Sequence, residues 1–149
     1  MKILQYRGRS IISRLIRFQT RSPYSHTAIQ FSDGCVIEAW HKGGVRLLSS
    51  PLDGHSNGTL IDVYSIDGHV DEERVRSCME AQIGQKYDFW AIGRFLSRRN
   101  QPANNKWFCS ELALTAIAKG GLRLLNGNYS HMSPRDVSLS PRLELERTI

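Results

Sequence analysis

The spacing of apolar positions switches between strand and helix periods along this chain and divides it into short elements. Lys2 to Tyr6 reads as an opening strand. Ser10 to Phe18 then places Ile11, Ile12, Leu15, Ile16 and Phe18 at helical spacing with Arg14 and Arg17 opposite, which predicts a short amphipathic helix. Arg21-Ser22-Pro23 ends it. Two strands follow, His26–Phe31 and Cys35–Trp40, joined across Ser32-Asp33-Gly34, and a third is predicted at Thr59–Ile66 after the loop Pro51–Gly58.

The second half is more helical. Asp71 has the character of an N-cap with Glu72 and Glu73 in the first turn, Val75, Cys78, Met79 and Ile83 form an apolar stripe, and Gly84 is the expected stop. Asp88 is positioned to cap a helix bearing Phe89, Ile92, Phe95 and Leu96. The polar stretch Arg98–Lys106 reads as a loop, and a helix starting at Cys109 buries Leu112, Ala113, Ala116 and Ile117 before Gly120-Gly121 stops it. Tyr129 to Ile149, with Pro134 and Pro141, is expected to wrap the surface and to supply one more strand.

Composition narrows the function classes. The 149 residues fit one domain spanning the whole chain, 1–149, and 40% hydrophobic with 23% charged residues is ordinary for a globular protein. Three widely spaced cysteines, Cys35, Cys78 and Cys109, form no CxxC pair, which argues against a disulfide framework and a cysteine-rich zinc site; no metal or cofactor is called for. No apolar run approaches the roughly 20 residues that span a membrane, and the amino terminus lacks a secretory apolar core, so a cytoplasmic protein is expected. Work on a cell wall would then require delivery by a phage or a secretion system.

The net charge of +6 is unevenly placed: Lys2, Arg7, Arg9, Arg14, Arg17 and Arg21 all precede the first acidic residue, Asp33. A second cluster comprises Arg94, Arg98, Arg99 and Lys106. No nucleic-acid motif accompanies either, so nucleic acid is not an expected partner. The basic amino-terminal helix suits contact with an anionic surface.

Two stretches carry candidate chemistry. Cys109 opens a helix, where backbone N–H groups and the helix dipole favour a thiolate, and His26 opens a strand from which it could take the thiol proton. Strand parity adds a third residue. A two-residue turn at Asp33-Gly34 would pair Glu38 with Ile29 and turn it away from His26. A three-residue loop, Ser32-Asp33-Gly34 with the glycine left-handed, pairs Ala28 with Glu38 and puts His26 diagonally across on the same face. Glu38 is then able to orient the imidazole. Cys35 and Cys78 read as packing residues, and His41, His55 and His69 read as surface residues in turns.

The order S-H-T-A-I, G-C-V-I-E-A, G-G-V, G-Q-K-Y-D-F and F-C-S-E-L resembles the circularly permuted branch of the NlpC/P60 papain-like superfamily, which includes YiiX/YaeF-type proteins and is more distantly similar to the lecithin–retinol acyltransferase group. It covers roughly residues 3–137. The resemblance implies an α+β fold, a small antiparallel sheet with the nucleophile helix packed against it. It also implies Cys109 as nucleophile, His26 as base, Glu38 as third polar residue and Tyr87 as a pocket-lining substrate contact. The expected activity is a cysteine hydrolase cleaving an amide in a peptide or peptidoglycan-type stem peptide. The rivals are a lipid acyltransferase or esterase using the same residues, and a non-enzymatic binding module.

Overall fold

Five of the strands come from the first sixty-six residues, which fold back and forth with one helix among them. The computed structural model describes residues 1–88 and 106–149. In chain order the elements are β1 (Lys2–Arg7), α1 (Ile11–Thr20), β2 (His26–Gln30), β3 (Val36–Trp40), β4 (Gly44–Leu48), β5 (Leu60–Ile66), α2 (Glu72–Glu80), β6 (Lys86–Tyr87), β7 (Lys106–Trp107), α3 (Cys109–Lys119), α4 (Pro134–Ser138) and β8 (Leu143–Thr148). The predicted helix after Asp88 and nearly all of the polar loop that follows lie outside the described residues.

The main sheet has the order β4-β3-β2-β1-β5-β8, antiparallel throughout. A parallel two-residue pair, β6 with β7, stands beside it. The fold class is therefore α+β with a mostly antiparallel sheet. Both faces of the sheet are covered, which explains why β1 and β2 read as runs of buried residues rather than strict alternation.

One face carries Ile3, Ile29, Ile37, Ala39 and Val45 and packs against Leu112, Ala113, Ala116 and Ile117 of α3 and Val75 and Met79 of α2. The other carries Leu4, Tyr6, Ala28, Val36, Ile61 and Val63. Each fully buried aliphatic residue contributes about 1.5–3 kcal/mol of transfer free energy, so the larger face dominates the cohesion.

The β2–β3 hairpin uses the three-residue loop. Ile29 lies opposite Ile37 and Gln30 opposite Val36. Phe31 N–H donates to the Cys35 carbonyl at 2.9 Å, Gly34 N–H donates to the Phe31 carbonyl at 2.9 Å, and Gly34 has φ +91°. Asp33 secures the turn by accepting the Cys35 N–H at 3.0 Å.

Several elements depart from the sequence pattern. Ile11, Leu15 and Phe18 face outward, with Ile11 86% and Phe18 83% exposed, while Ile16 is buried and Ile12 packs beside it. The apolar positions of α1 therefore form two adjacent stripes, of which one meets the core. Helix α2 begins on Asp71, which accepts the Arg74 N–H at 3.1 Å, but it ends at Glu80, leaving Ile83 exposed. Strand β4 was not predicted; its glycine-led start, Gly43-Gly44, reads as a turn. The carboxyl-terminal segment supplies β8, which extends the sheet at β5, after α4 is opened by a Ser133–Asp136 capping box with Pro134 in its first turn.

Candidate active site

The site forms where β2, β3 and β4 run side by side. Because paired residues share a face, the loop register puts Ala28 opposite Glu38, and Glu38 lies directly opposite Arg46 of β4. Tyr6 of β1 lies opposite His26. Four side chains from four strands thus converge on one patch of the smaller face.

Glu38 is the hub. It is fully buried, and its Oε2 accepts from His26 Nε2 at 2.6 Å and from His55 Nε2 at 3.1 Å. Its Oε1 accepts from Arg46 Nε at 2.8 Å and Nη2 at 2.5 Å. Burial alone would push the carboxyl group up, but the two imidazoles hold it well below the usual carboxylate range. An ionised carboxylate can only accept hydrogen bonds, so each Nε2 carries a proton. In a neutral His26, Nδ1 is then a free lone pair.

Burial favours the neutral form of His26. It is 4% exposed, and burial lowers its pKa more than Glu38 raises it. Its ring is fixed edge-on against Tyr6 at 5.1 Å and Trp40 at 5.2 Å between centroids. His55 stacks on Tyr6 at 4.3 Å and meets Trp40 at 4.6 Å. Arg46 lies over the Trp40 ring at 4.9 Å. Tyr6 OH donates to the Pro51 carbonyl at 3.0 Å, which ties the loop bearing His55 onto the sheet.

Cys109 begins α3 on the other side of β2. It is 2% exposed, and its neighbour across the packing is Thr27, whose backbone N–H, with that of Ser110, favours the thiolate. Burial outweighs them: the thiol is pushed up to about 12, with the Glu38 charge adding to the rise. The sequence expectation of a helix-start cysteine ionised near neutral pH is therefore corrected, because desolvation exceeds the help from helix and amides. Adjacent residues of a strand point to opposite faces, so Thr27 faces α3 while His26 faces Glu38. His26 is the first residue of β2.

Tyr87 on β6 is buried, packs against Phe108 at 5.6 Å, and has its hydroxyl raised well above its ordinary value by burial, then by Cys109, Asp88 and Glu38. Direct contact thus joins His26 to Glu38, whereas Cys109 and Tyr87 share their electrostatic neighbourhood.

Two partners were missed by the sequence pattern. His55, read as a surface residue, has a side chain only 3% exposed and bonds Glu38. Nothing local marks it, because it sits in a loop whose path is set by contacts with Tyr6 and Arg46. Arg46 was findable: a three-residue turn at His41-Lys42-Gly43 places it opposite Glu38. His69 is exposed as expected.

No family model and no curated protein matches this chain. Among solved structures, the crystal structure of the metalloprotein YiiX from Escherichia coli O157:H7 aligns with a TM-score of 0.72 at 20% identity, over 98% of this chain and 94% of that one. The fold resembles that of YiiX. At this identity the likeness concerns the α+β architecture, and the chemistry of the site has to be argued from its own residues. Among the described residues, no helix is long and apolar enough to cross a membrane.

Proposed function

We propose that this chain is a thiol hydrolase of the permuted NlpC/P60 type, acting on an amide bond in a peptide or peptidoglycan-type stem peptide. The observation that carries this reading is the 2.6 Å bond between His26 Nε2 and Glu38 Oε2, which leaves Nδ1 as the basic nitrogen. With the thiol raised and the imidazole lowered, the resting pair is neutral, and proton transfer accompanies attack as general-base catalysis. Cys109 Sγ bonds to the carbonyl carbon while its proton passes to His26 Nδ1. The imidazolium, stabilised by Glu38, gives that proton to the departing amine as the C–N bond breaks. Water then cleaves the thioester by the same base, restoring the thiol. The Cys109 N–H, at the helix start, suits the developing oxyanion. Arg46 holds the carboxylate in place throughout. The description of YiiX as a metalloprotein belongs to that protein.

The test is mass spectrometry of products from a mixed panel of peptides, muropeptides and phospholipids. Amide-bond products are expected from the wild type and not from Cys109→Ala. Equal turnover by the two proteins would overturn the assignment.

A second reading is favoured by α1. Ile11, Leu15 and Phe18 form an exposed apolar stripe at i, i+4 and i+7, bordered by Arg14, and no acidic residue lies in the first turn of the helix. Such a face suits an anionic lipid surface and would direct the same thiol chemistry to an ester or acyl transfer on lipid. Phospholipid products in the panel would select this version. Vesicle binding that is absent, or insensitive to salt, would remove it.

A further inference from the structure

The proposed reaction uses one of the two imidazoles on Glu38 and leaves His55 without a task. His55 is nevertheless built into place. It comes from the loop between β4 and β5, stacks on Tyr6, abuts Trp40, and aims Nε2 at the same oxygen that His26 holds. His26 Nε2 and His55 Nε2 both bond Glu38 Oε2, and one ligand atom from each of the three residues lies within 4.8 Å of the other two.

We propose that these three atoms form a divalent transition-metal site of the zinc class, and that its occupation switches the thiol chemistry off. Two imidazoles and a carboxylate are a donor set that suits zinc and its first-row neighbours. Ligands bound at about 2.0–2.2 Å in tetrahedral geometry sit about 3.3 Å apart. The separations to Oε2 here are 2.6 Å for His26 and 3.1 Å for His55, so His26 opens by roughly 0.7 Å and His55 by roughly 0.2 Å to admit the ion. Outer contacts already fix the donors: Arg46 orients the carboxylate, and Tyr6 and Trp40 clamp both rings.

The switch follows from proton accounting. Without metal, His26 carries its proton on Nε2 and can accept the thiol proton at Nδ1. With the Nε2 lone pair given to a metal, the neutral ring carries its proton on Nδ1 instead. No lone pair is then left for Cys109. Metal occupancy and general-base action at His26 are mutually exclusive.

The metal site stands apart from the hydrolase reading, while the switch rests on it; the measurements separate the two. Zn²⁺ is titrated calorimetrically into chelator-treated protein, and Co²⁺ is used for the visible spectrum. One site per chain is expected, unchanged in Cys109→Ala and weakened about 100-fold or more in His55→Ala. Should circular dichroism show His55→Ala unfolded, His55→Asn takes its place. The cobalt spectrum is expected to lack a thiolate charge-transfer band. Absence of stoichiometric binding, loss of binding in Cys109→Ala, or a thiolate band would overturn the ligand set. Turnover should fall in step with calorimetric occupancy, and full turnover at saturating zinc would overturn the switch. One-site binding without any turnover by the metal-free protein supports the metal site and counts against the hydrolase.

Discussion

Glu38 holds the site together because four donors meet on its two oxygens. Replacing it with alanine leaves Arg46 without its buried counter-charge and both imidazoles without an acceptor. Glu38→Ala is expected to lose about 3–5 kcal/mol in urea unfolding. A loss below about 1 kcal/mol would contradict the role given to this carboxylate. Cys109 makes a second residue-scale prediction. Being 2% exposed and raised to about 12, it should alkylate more slowly at neutral pH than the partly exposed Cys35 when substrate is absent. Peptide mapping after brief iodoacetamide treatment reads this, and preferential labelling of Cys109 would show a resting thiolate. At this scale His26 and Glu38 were legible in the sequence, since period-2 geometry and one glycine in a three-residue loop decide their shared face. The thiol's protonation was not, because it depends on how deeply α3 is buried.

Gly44 shows how an element can be hidden by the residue that makes it possible. It begins β4 with φ +79°, and a Cβ there would lie 1.9 Å from the Gln85 carbonyl oxygen. That close approach lets Val45 N–H donate to the Gln85 carbonyl and Gly84 N–H donate to the Val45 carbonyl, each at 2.9 Å, anchoring the segment that leads to Tyr87. Gly43, at φ +103°, has open space where its Cβ would stand. Both Gly→Ala changes incur the left-handed penalty of about 1–2 kcal/mol, but only Gly44→Ala adds a backbone clash. Gly44→Ala should therefore lower the melting temperature clearly more than Gly43→Ala; equal effects would contradict the packing of β6 on β4. Helix α1 was legible as a helix, with Ser10 accepting the Ser13 N–H at its start. Which of its apolar residues face inward was not, because two stripes of similar hydropathy sit side by side and only the rest of the fold selects one. If the outer stripe meets lipid, Phe18→Ser should weaken binding to anionic vesicles by about tenfold, with little change in stability, since Phe18 is 83% exposed. Unchanged co-sedimentation would count against that use of the helix.

Across the whole molecule, the buried polar patch makes stability depend on pH. An unfolded glutamate titrates near about 4.3 and an unfolded histidine near about 6.5. Folding lowers both Glu38 and His26, so in each case the unfolded chain takes up the proton first as the pH falls. The contribution of ionised Glu38 is complete above about 4.3 and is lost as pH falls toward its folded value; the neutral burial of His26 begins to cost stability below about 6.5. Both act in one direction, with His26 the group that titrates between about pH 7 and pH 4, so the melting temperature should fall across that window, less steeply in His26→Gln. Parallel curves for the two proteins would place the acid sensitivity elsewhere. The β2–β3 hairpin and the strands β1 and β5 follow from local patterns, and the α+β class from the family resemblance, whereas β8 joins the sheet from the far end of the chain and His55 reaches Glu38 across a loop. Long-range closure of this kind leaves little trace in neighbouring residues.

In the proposed reaction Cys109 carries the acyl group during turnover, with His26 as its base. Rapid acid quench of the metal-free protein with a cleaved substrate, followed by peptide mapping, tests it most directly. An acyl adduct on Cys109 is expected in the wild type, with at least about a hundredfold slower formation in His26→Ala, the scale of a lost general base. Steady turnover with no adduct on Cys109, or turnover persisting in Cys109→Ala, would contradict it.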